Sequence, residues 1–62
     1  MRPLHLTYEL YLKGQDGKVA FEALTCPLNE DVLAVAQRLL VARGLRSVEV
    51  RRLGEHLYTI GG

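Results

Sequence analysis

Two pairs of side chains in this 62-residue chain are of the types that carry out covalent or acid–base chemistry. His5 and Cys26 fall at neighbouring ends of a predicted hairpin, where a cysteine and a histidine could act as a nucleophile and its base. Such a pair also needs an orienting third group and oxyanion donors, and the sequence supplies neither. Because a cysteine before a proline is typically a small buried apolar residue, we predict no catalytic role for Cys26.

Glu9 and Glu22 form the second pair, since two carboxylates that approach each other can divide acid–base work between them. The predicted strand register offsets them diagonally, and an open sheet face provides little desolvation to raise a carboxyl pKa. We therefore expect both to be ordinary outward-facing polar residues. His56 lies beside a predicted turn, and nothing in the sequence near it points to a ligand or a pH-sensing role. The sequence predicts that the protein is not an enzyme.

Metal and cofactor sites have no support in the sequence. The candidate ligands Cys26, His5 and His56 are scattered, without C-x-x-C or H-x-x-x-H spacing. The four glycines before the C-terminal pair each have a turn or helix-end explanation, and no two of them form a phosphate-binding loop. We therefore predict no metal and no cofactor, and a single cysteine excludes a disulfide within the chain.

An arginine cluster late in the chain allows two interpretations. Arg43, Arg46, Arg51 and Arg52 could form a patch that binds an anion or a nucleic acid. They could equally be solvated side chains that discourage edge-to-edge strand pairing. The net charge is only +1, no aromatic RNA-binding motif is present, and the glycines of residues 14–17 are assigned to a hairpin turn and not to a phosphate clamp, which favours the second interpretation. A nucleic-acid-binding accessory protein is the alternative hypothesis.

A change of hydrophobic period defines the elements that would position these side chains. Alternation over residues 4–25, a helical stripe over 32–42 and renewed alternation over 45–60 predict two strands, one helix and two strands. The predicted fold class is α+β, in the order ββαββ, with a four-stranded antiparallel sheet and one helix on one face. Residues 1–62 form a single domain, and the first strand is expected at the centre of the sheet beside the third or fourth.

The helix is predicted over residues 30–43, with Asn29 as its N-cap, Leu28 and Leu33 as a hydrophobic staple and Gly44 just past its end. Acidic residues, including Asp31, are expected in its first turn. Apolar side chains cover about half of its circumference. This width is typical of a helix set deep in a small core, although some of these side chains could instead contact a partner chain: Leu33, Leu40 and Val41.

Asp16-Gly17 predicts a two-residue type I′ turn in the first hairpin, because both central positions of that turn need positive φ. This register pairs Leu12 with Phe21, whereas a four-residue loop would set like charges opposite each other. Both registers place three residues of the second strand on the core face: Val19, Phe21 and Ala23.

Two registers stay open for the second hairpin. A three-residue loop, residues 52–54 with Gly54 in the left-handed region, places His56, Tyr58 and Ile60 beside the two core valines of the third strand. A four-residue loop places Leu57 and Thr59 there instead.

One helix covers only one face of a sheet, so the uncovered face is the predicted functional surface. We expect a non-enzymatic protein that acts through protein contact, in the specific form of a homodimer, because aromatic anchors are common at interfaces. The predicted anchors are Tyr11, Leu24 and Tyr58. The predicted members of the uncovered face, besides part of the fourth strand, are His5, Thr7, Glu9, Tyr11, Ala20, Glu22 and Leu24.

Composition and size bear on the class of protein. Apolar residues make up 48% of the chain and charged residues 24%, which is typical of a folded domain and not of a disordered one. A core of this size supplies only about 3–5 kcal/mol, so small domains often gain stability from a partner. A lone cysteine, a start that does not resemble a signal peptide and the lack of a long apolar run predict a cytoplasmic protein without membrane contact.

Overall fold

The structure, a computed structural model, describes residues 5–27 and 31–61. The strands form one antiparallel sheet in the order β2-β1-β3-β4, and the helix packs against one face of it. The predicted α+β class and ββαββ order are confirmed, as is the central position of the first strand. The elements are β1 (His5–Lys13), β2 (Val19–Pro27), α1 (Val32–Ala42), β3 (Ser47–Arg52) and β4 (Glu55–Gly61).

The hydrophobic core lies between α1 and the sheet. Leu10 and Leu12 of β1 stand opposite Val50 and Val48 of β3. All four side chains are buried because they point to the face of the sheet that α1 covers, while the residues between them point to the other face. None of the three tyrosines nor the single phenylalanine is fully buried. Partly buried residues extend the cluster: Tyr8, Leu24, Leu39, Leu40, Leu45 and Ile60.

Side chains that point away from α1 form the surface that we call the open face. Its members follow from the strand pairing and the alternation of side chains along each strand. They are His5, Thr7, Glu9, Tyr11, Lys13, Val19, Phe21, Ala23, Thr25, Ser47, Glu49, Arg51, His56 and Thr59.

The start of α1 is fixed by Asp31. Its Oδ1 accepts a hydrogen bond from the Leu33 N–H at 2.9 Å, which satisfies one of the unpaired donors of the first turn. Asp31 is therefore the N-cap, and the prediction that it lies within the first turn is wrong. The predicted N-cap Asn29 and the predicted staple residue Leu28 lie outside the described residues.

The end of α1 follows the prediction. Gly44 has a φ of +60°, and the Leu45 N–H donates to the Leu40 carbonyl at 2.9 Å. A second bond of 3.2 Å runs from the Gly44 N–H to the Val41 carbonyl, so the helix closes in a Schellman motif. The predicted role of Gly44 just past the helix end is confirmed.

The first hairpin contains a three-residue loop, which neither predicted register used. The Gly14 N–H donates to the Lys18 carbonyl at 2.9 Å, and the Gly17 N–H donates to the Gly14 carbonyl at 3.0 Å. Gly17 has a φ of +84°, so the loop is a type I turn followed by a left-handed glycine. Asp16 supports this loop, because its Oδ1 accepts from the Lys18 N–H at 3.0 Å.

This loop moves every side chain of β2 to the face opposite the predicted one, because side chains alternate along a strand. Leu12 pairs with Ala20, not with Phe21. The prediction that Val19, Phe21 and Ala23 face the core is therefore wrong, as is the prediction that Ala20, Glu22 and Leu24 lie on the uncovered face. The observed register instead brings Leu24 against the core and buries Cys26.

The second hairpin has a two-residue type I′ turn, so neither predicted loop is present. Arg52 pairs with Glu55, and the turn residues between them have positive φ. A register shift leaves Leu57 as the extra residue of a β-bulge in β4. As a result Tyr58 and Ile60 lie on the core side of β4, as the three-residue loop predicted, whereas His56 pairs with Arg51 instead.

Leu53 occupies a strained position at the tip of this hairpin. Its φ is +53°, a region that costs a side chain with a Cβ about 1–2 kcal/mol, and the residue is 84% exposed. Asparagine tolerates this region, and Asn-Gly is a preferred sequence for the turn. We expect Leu53→Asn to raise the unfolding free energy by about 1 kcal/mol and the Tm by about 4–8 °C.

Thermal denaturation followed by circular dichroism measures this effect. Leu53→Ala is the matched control, because alanine keeps the Cβ strain and removes only exposed carbon atoms. An asparagine variant that melts at or below the wild-type temperature would contradict the assignment of strain to Leu53.

Candidate interaction surface on the open face

The centre of the open face is a contact between two aromatic rings. Tyr11 of β1 packs against Phe21 of β2, with ring centroids 5.4 Å apart and planes inclined by 57°. On the other side of Tyr11, the guanidinium carbon of Arg51 lies 6.0 Å from the ring centroid. Tilted aromatic pairs and cation–π contacts of this geometry are favourable. A continuous row of Phe21, Tyr11 and Arg51 therefore crosses three strands.

The apolar part of this row is exposed. Phe21, the only phenylalanine of the chain, is 56% exposed, and Val19 beside it on β2 is 59% exposed. A fully enclosed aromatic side chain buries about 150–250 Å², and Phe21 leaves about half of its surface outside the core of so small a domain. Exposed apolar patches of this kind are typical of interaction sites.

Polar side chains bond to each other around this patch. The hydroxyl groups of Thr7 and Thr25 lie 2.9 Å apart. His56 Nε2 lies 2.7 Å from the Thr59 hydroxyl, a contact made possible by the bulge at Leu57, which turns both side chains to the open face. The apolar patch thus extends from Tyr11 to the β2 edge of the open face, with polar side chains beside it.

The three predicted anchors lie in three different surroundings. Tyr11 is at the centre of the open face. Leu24 lies on the helix side, partly buried against the core, so its predicted surface position is wrong. Tyr58 pairs with Val50 and therefore also lies on the helix side, where it is 42% exposed. The structure places Phe21 on the open face instead, a residue that the predicted turn had set in the core.

Two of the clustered arginines form ion pairs. Both guanidinium nitrogens of Arg43 contact the carboxylate of Glu22 on the helix side, and this hydrogen bonding lowers the pKa of the Glu22 carboxyl and raises the pKa of Arg43. On the open face, Arg51 Nε donates to Glu49 at 2.6 Å, which raises the pKa of Arg51. Both pairs are substantially exposed, so each contributes little to stability.

The four arginines of the predicted anion patch do not form one surface. Arg43 and Arg51 lie on opposite sides of the sheet, as their carboxylate partners show. Arg46 follows α1 and is tied to β1 through a bond from its backbone N–H to the Lys13 carbonyl, and Arg52 lies next to the second turn. Phosphate groups would therefore meet these side chains in at least two separate places.

The side chains of the two candidate catalytic pairs point to opposite sides of the sheet. His5 lies on the open face, whereas Cys26 pairs with Leu6, points to the helix side and is 3% exposed. Glu9 lies on the open face, where its carboxylate accepts from the Gly54 N–H, and Glu22 lies on the helix side. Within residues 5–27 and 31–61, no three potential metal ligands converge. In the same ranges no helix has the length and apolarity needed to span a bilayer.

The outer side of α1 carries a second, smaller apolar area. Val41 is 80% exposed there. The residues that line this shallow depression are Ala34, Gln37, Arg38, Val41 and Ala42. It has no aromatic member, so it lacks the anchors that make the open face a candidate interface.

Comparison with models of protein families, with curated proteins and with solved structures found no match to this chain. A function for the protein therefore has to be argued from the chemistry and geometry of its own surfaces.

Proposed function

We propose that this protein is a non-enzymatic cytoplasmic protein that acts through protein contact, as a homodimer whose copies meet through the open face. The observation that carries the proposal is the exposed contact between Tyr11 and Phe21 at the centre of that face. Aromatic side chains dominate the binding energy of many interfaces when a partner encloses them. The buried position of the only cysteine is compatible with the reducing cytoplasm.

The size of the open face supports a second copy as the partner. A standard interface removes about 800 Å² from each partner, which is about a fifth of the 4440 Å² surface of this chain. Four strands spaced by about 4.8 Å, with up to nine residues in a strand, give a face of roughly 500 Å² in projection, and side-chain relief adds to that area. The open face is thus of the right order for a stable contact.

The charges on the open face support a symmetric contact. Glu9 and Lys13 flank Tyr11 along β1, two residues away on either side. A twofold axis at Tyr11, running across the strands, sets Lys13 of one copy against Glu9 of the other. The same axis brings the two Glu49 side chains together, and each of them is paired with Arg51 of its own copy. Two stacked sheets in this orientation would enclose the Tyr11 and Phe21 rings of both copies. Opposite charges at the rim would fix the relative orientation.

Sedimentation at micromolar concentration tests this contact. We expect the wild-type protein to have a mass of at least twice 7.0 kDa. Tyr11→Lys places a charge at the centre of the contact, while Glu49, opposite Tyr11 in the strand pairing, compensates that charge in the free chain. We expect this variant to have a lower average mass, with self-association weakened about tenfold or more.

Val41→Lys is the matched control, because it makes the same kind of change on the outer side of α1 and should leave the mass unchanged. A wild-type protein that sediments as a 7.0 kDa monomer would overturn the proposal. So would a Tyr11→Lys variant with the wild-type mass.

Nucleic-acid binding through Arg43, Arg46, Arg51 and Arg52 is the alternative function. The separation of these side chains over the molecule gives it no support. A salt titration against short DNA and RNA distinguishes the two functions, because binding driven by phosphate contacts weakens steeply as salt rises, whereas an apolar homodimer does not.

A further inference from the structure

The outer edge of β2 is an open sheet edge from Val19 to Thr25, ahead of Pro27 at the end of the strand. Among residues 5–27 and 31–61, β2 pairs only with β1, and residues 19–23 are all exposed. Proteins usually blunt such an edge with lysine, proline or a bulge. The opposite edge, β4, has the bulge at Leu57, whereas β2 pairs with β1 over its full length without a register shift. The one charged side chain within β2, Glu22, is already paired with Arg43.

The backbone of β2 offers free pairing positions along this edge. The bond between the Gly14 N–H and the Lys18 carbonyl shows that residue 18 directs its carbonyl toward β1. Because hydrogen-bonded and non-hydrogen-bonded pairs alternate in an antiparallel ladder, the odd-numbered residues that follow direct their N–H and C=O groups outward. The outward groups therefore belong to Val19, Phe21, Ala23 and Thr25.

We propose that β2 pairs antiparallel with β2 of a second copy, about a twofold axis at Ala20, so that two four-stranded sheets join into one sheet of eight strands. In this register Val19 of each copy stands opposite Phe21 of the other, and both residues use their outward backbone groups. The two exposed large apolar side chains of the strand therefore cover each other.

The charges next to this edge select the register. With the axis at Ala20, Lys18 of each copy stands opposite Glu22 of the other, which is a favourable cross-strand pair. With the axis at Glu22, two carboxylates would face each other, which is unfavourable. An extended peptide from another protein would receive no such reciprocal match, and for this reason a second copy of this chain is the occupant.

This edge contact goes beyond the open-face contact and does not depend on it. Phe21 takes part in both contacts. The edge contact is formed by the backbone of β2, whereas the open-face contact is centred on Tyr11 in β1, an interior strand that an edge contact does not reach.

Cysteine cross-linking tests the edge contact. A twofold axis at Ala20 brings the two copies of this residue into a non-hydrogen-bonded pair, with Cα atoms about 4.5 Å apart, a distance that a disulfide can span. We expect mild oxidation to convert most of the Ala20→Cys variant into a covalent dimer. The matched control is Ala23→Cys, which changes another exposed alanine of the same strand. The register sets Ala23 opposite Gly17 of the other copy, so this variant should form a disulfide to a much smaller extent.

Cross-linking of Ala20→Cys that does not exceed that of Ala23→Cys would overturn the edge contact. Ala20 lies on the helix side of the sheet, so an open-face dimer cannot bring two copies of it together. The cross-linking result is therefore independent of the sedimentation of Tyr11→Lys, and either contact can fail while the other stands.

Discussion

Leu10→Ala is expected to leave most molecules unfolded near room temperature. Leu10 is 1% exposed, lies opposite Val50 in the central pair of strands and belongs to the buried cluster beneath α1. Truncating a buried leucine to alanine costs about 2–5 kcal/mol, because it removes apolar burial and leaves a cavity. A core of this size supplies about 3–5 kcal/mol in total, so the loss is of the same order as the whole stability.

Circular dichroism and urea denaturation measure this effect. Val41→Ala is the control, because Val41 is 80% exposed and its truncation should change the unfolding free energy by less than about 0.5 kcal/mol. A Leu10→Ala variant that unfolds cooperatively, with a stability close to that of the wild type, would show that Leu10 is not at the centre of the core.

Gly61→Ala is expected to cost about 1–3 kcal/mol, although it changes a residue near the end of the last strand. A Cβ at this position would overlap the carbonyl oxygen of Arg46 and lie 3.0 Å from the Ser47 Cα, and both are backbone atoms that cannot rotate away. The φ of Gly61 is also +89°, which favours glycine. The end of β4 must then leave β3, and Ile60 loses part of its packing.

Gly17→Ala is the control that separates the two causes of the expected cost at Gly61, the backbone contact of the added Cβ and the positive φ. Gly17 has a similar φ of +84°, but a Cβ there would meet nothing within 4 Å. Urea denaturation should therefore show the alanine at position 61 to be the more destabilising of the two. Equal stabilities would mean that the strand end moves aside without loss, and that the contact with Arg46 carries no energetic weight.

The fold class could be predicted because two strands and the helix have unambiguous patterns. In β1 and β3 the buried leucines and valines alternate with charged or polar residues, so only one face can be apolar. The apolar stripe over residues 32–42 and the glycine after it define the helix in the same way. These elements alone imply a sheet with one covered face.

The facing of β2 could not be predicted, because both of its faces carry apolar side chains. One face carries Val19, Phe21 and Ala23, and the other carries Leu24 and Cys26 besides Ala20 and Glu22, so hydrophobic period does not choose between the two faces. The facing of β2 therefore depends on the length of the loop before it, and Asp16-Gly17 fits both a two-residue and a three-residue loop. A difference of one loop residue then exchanged the faces of the whole strand.

Only part of the candidate site on the open face could be predicted from the sequence. Tyr11 was identified because it alternates with the core leucines of β1. Phe21 was missed because its facing depended on the turn. The bulge at Leu57 left no signal either, since the adjacent residues Leu57 and Tyr58 are both apolar and allow either facing of β4.

The bulge in β4 limits how far sheets of this protein can extend. A chain whose two outermost strands are both regular can add neighbours without end, which is the geometry of amyloid fibrils. Here the extra residue at Leu57 interrupts the regular spacing of one outermost strand, whereas β2 keeps a regular row of outward backbone groups from Val19 to Thr25. When β2 of one copy pairs with β2 of another, the outward backbone groups of both strands are used. Growth of the sheet by further strands then stops after this one step, and no fibril forms.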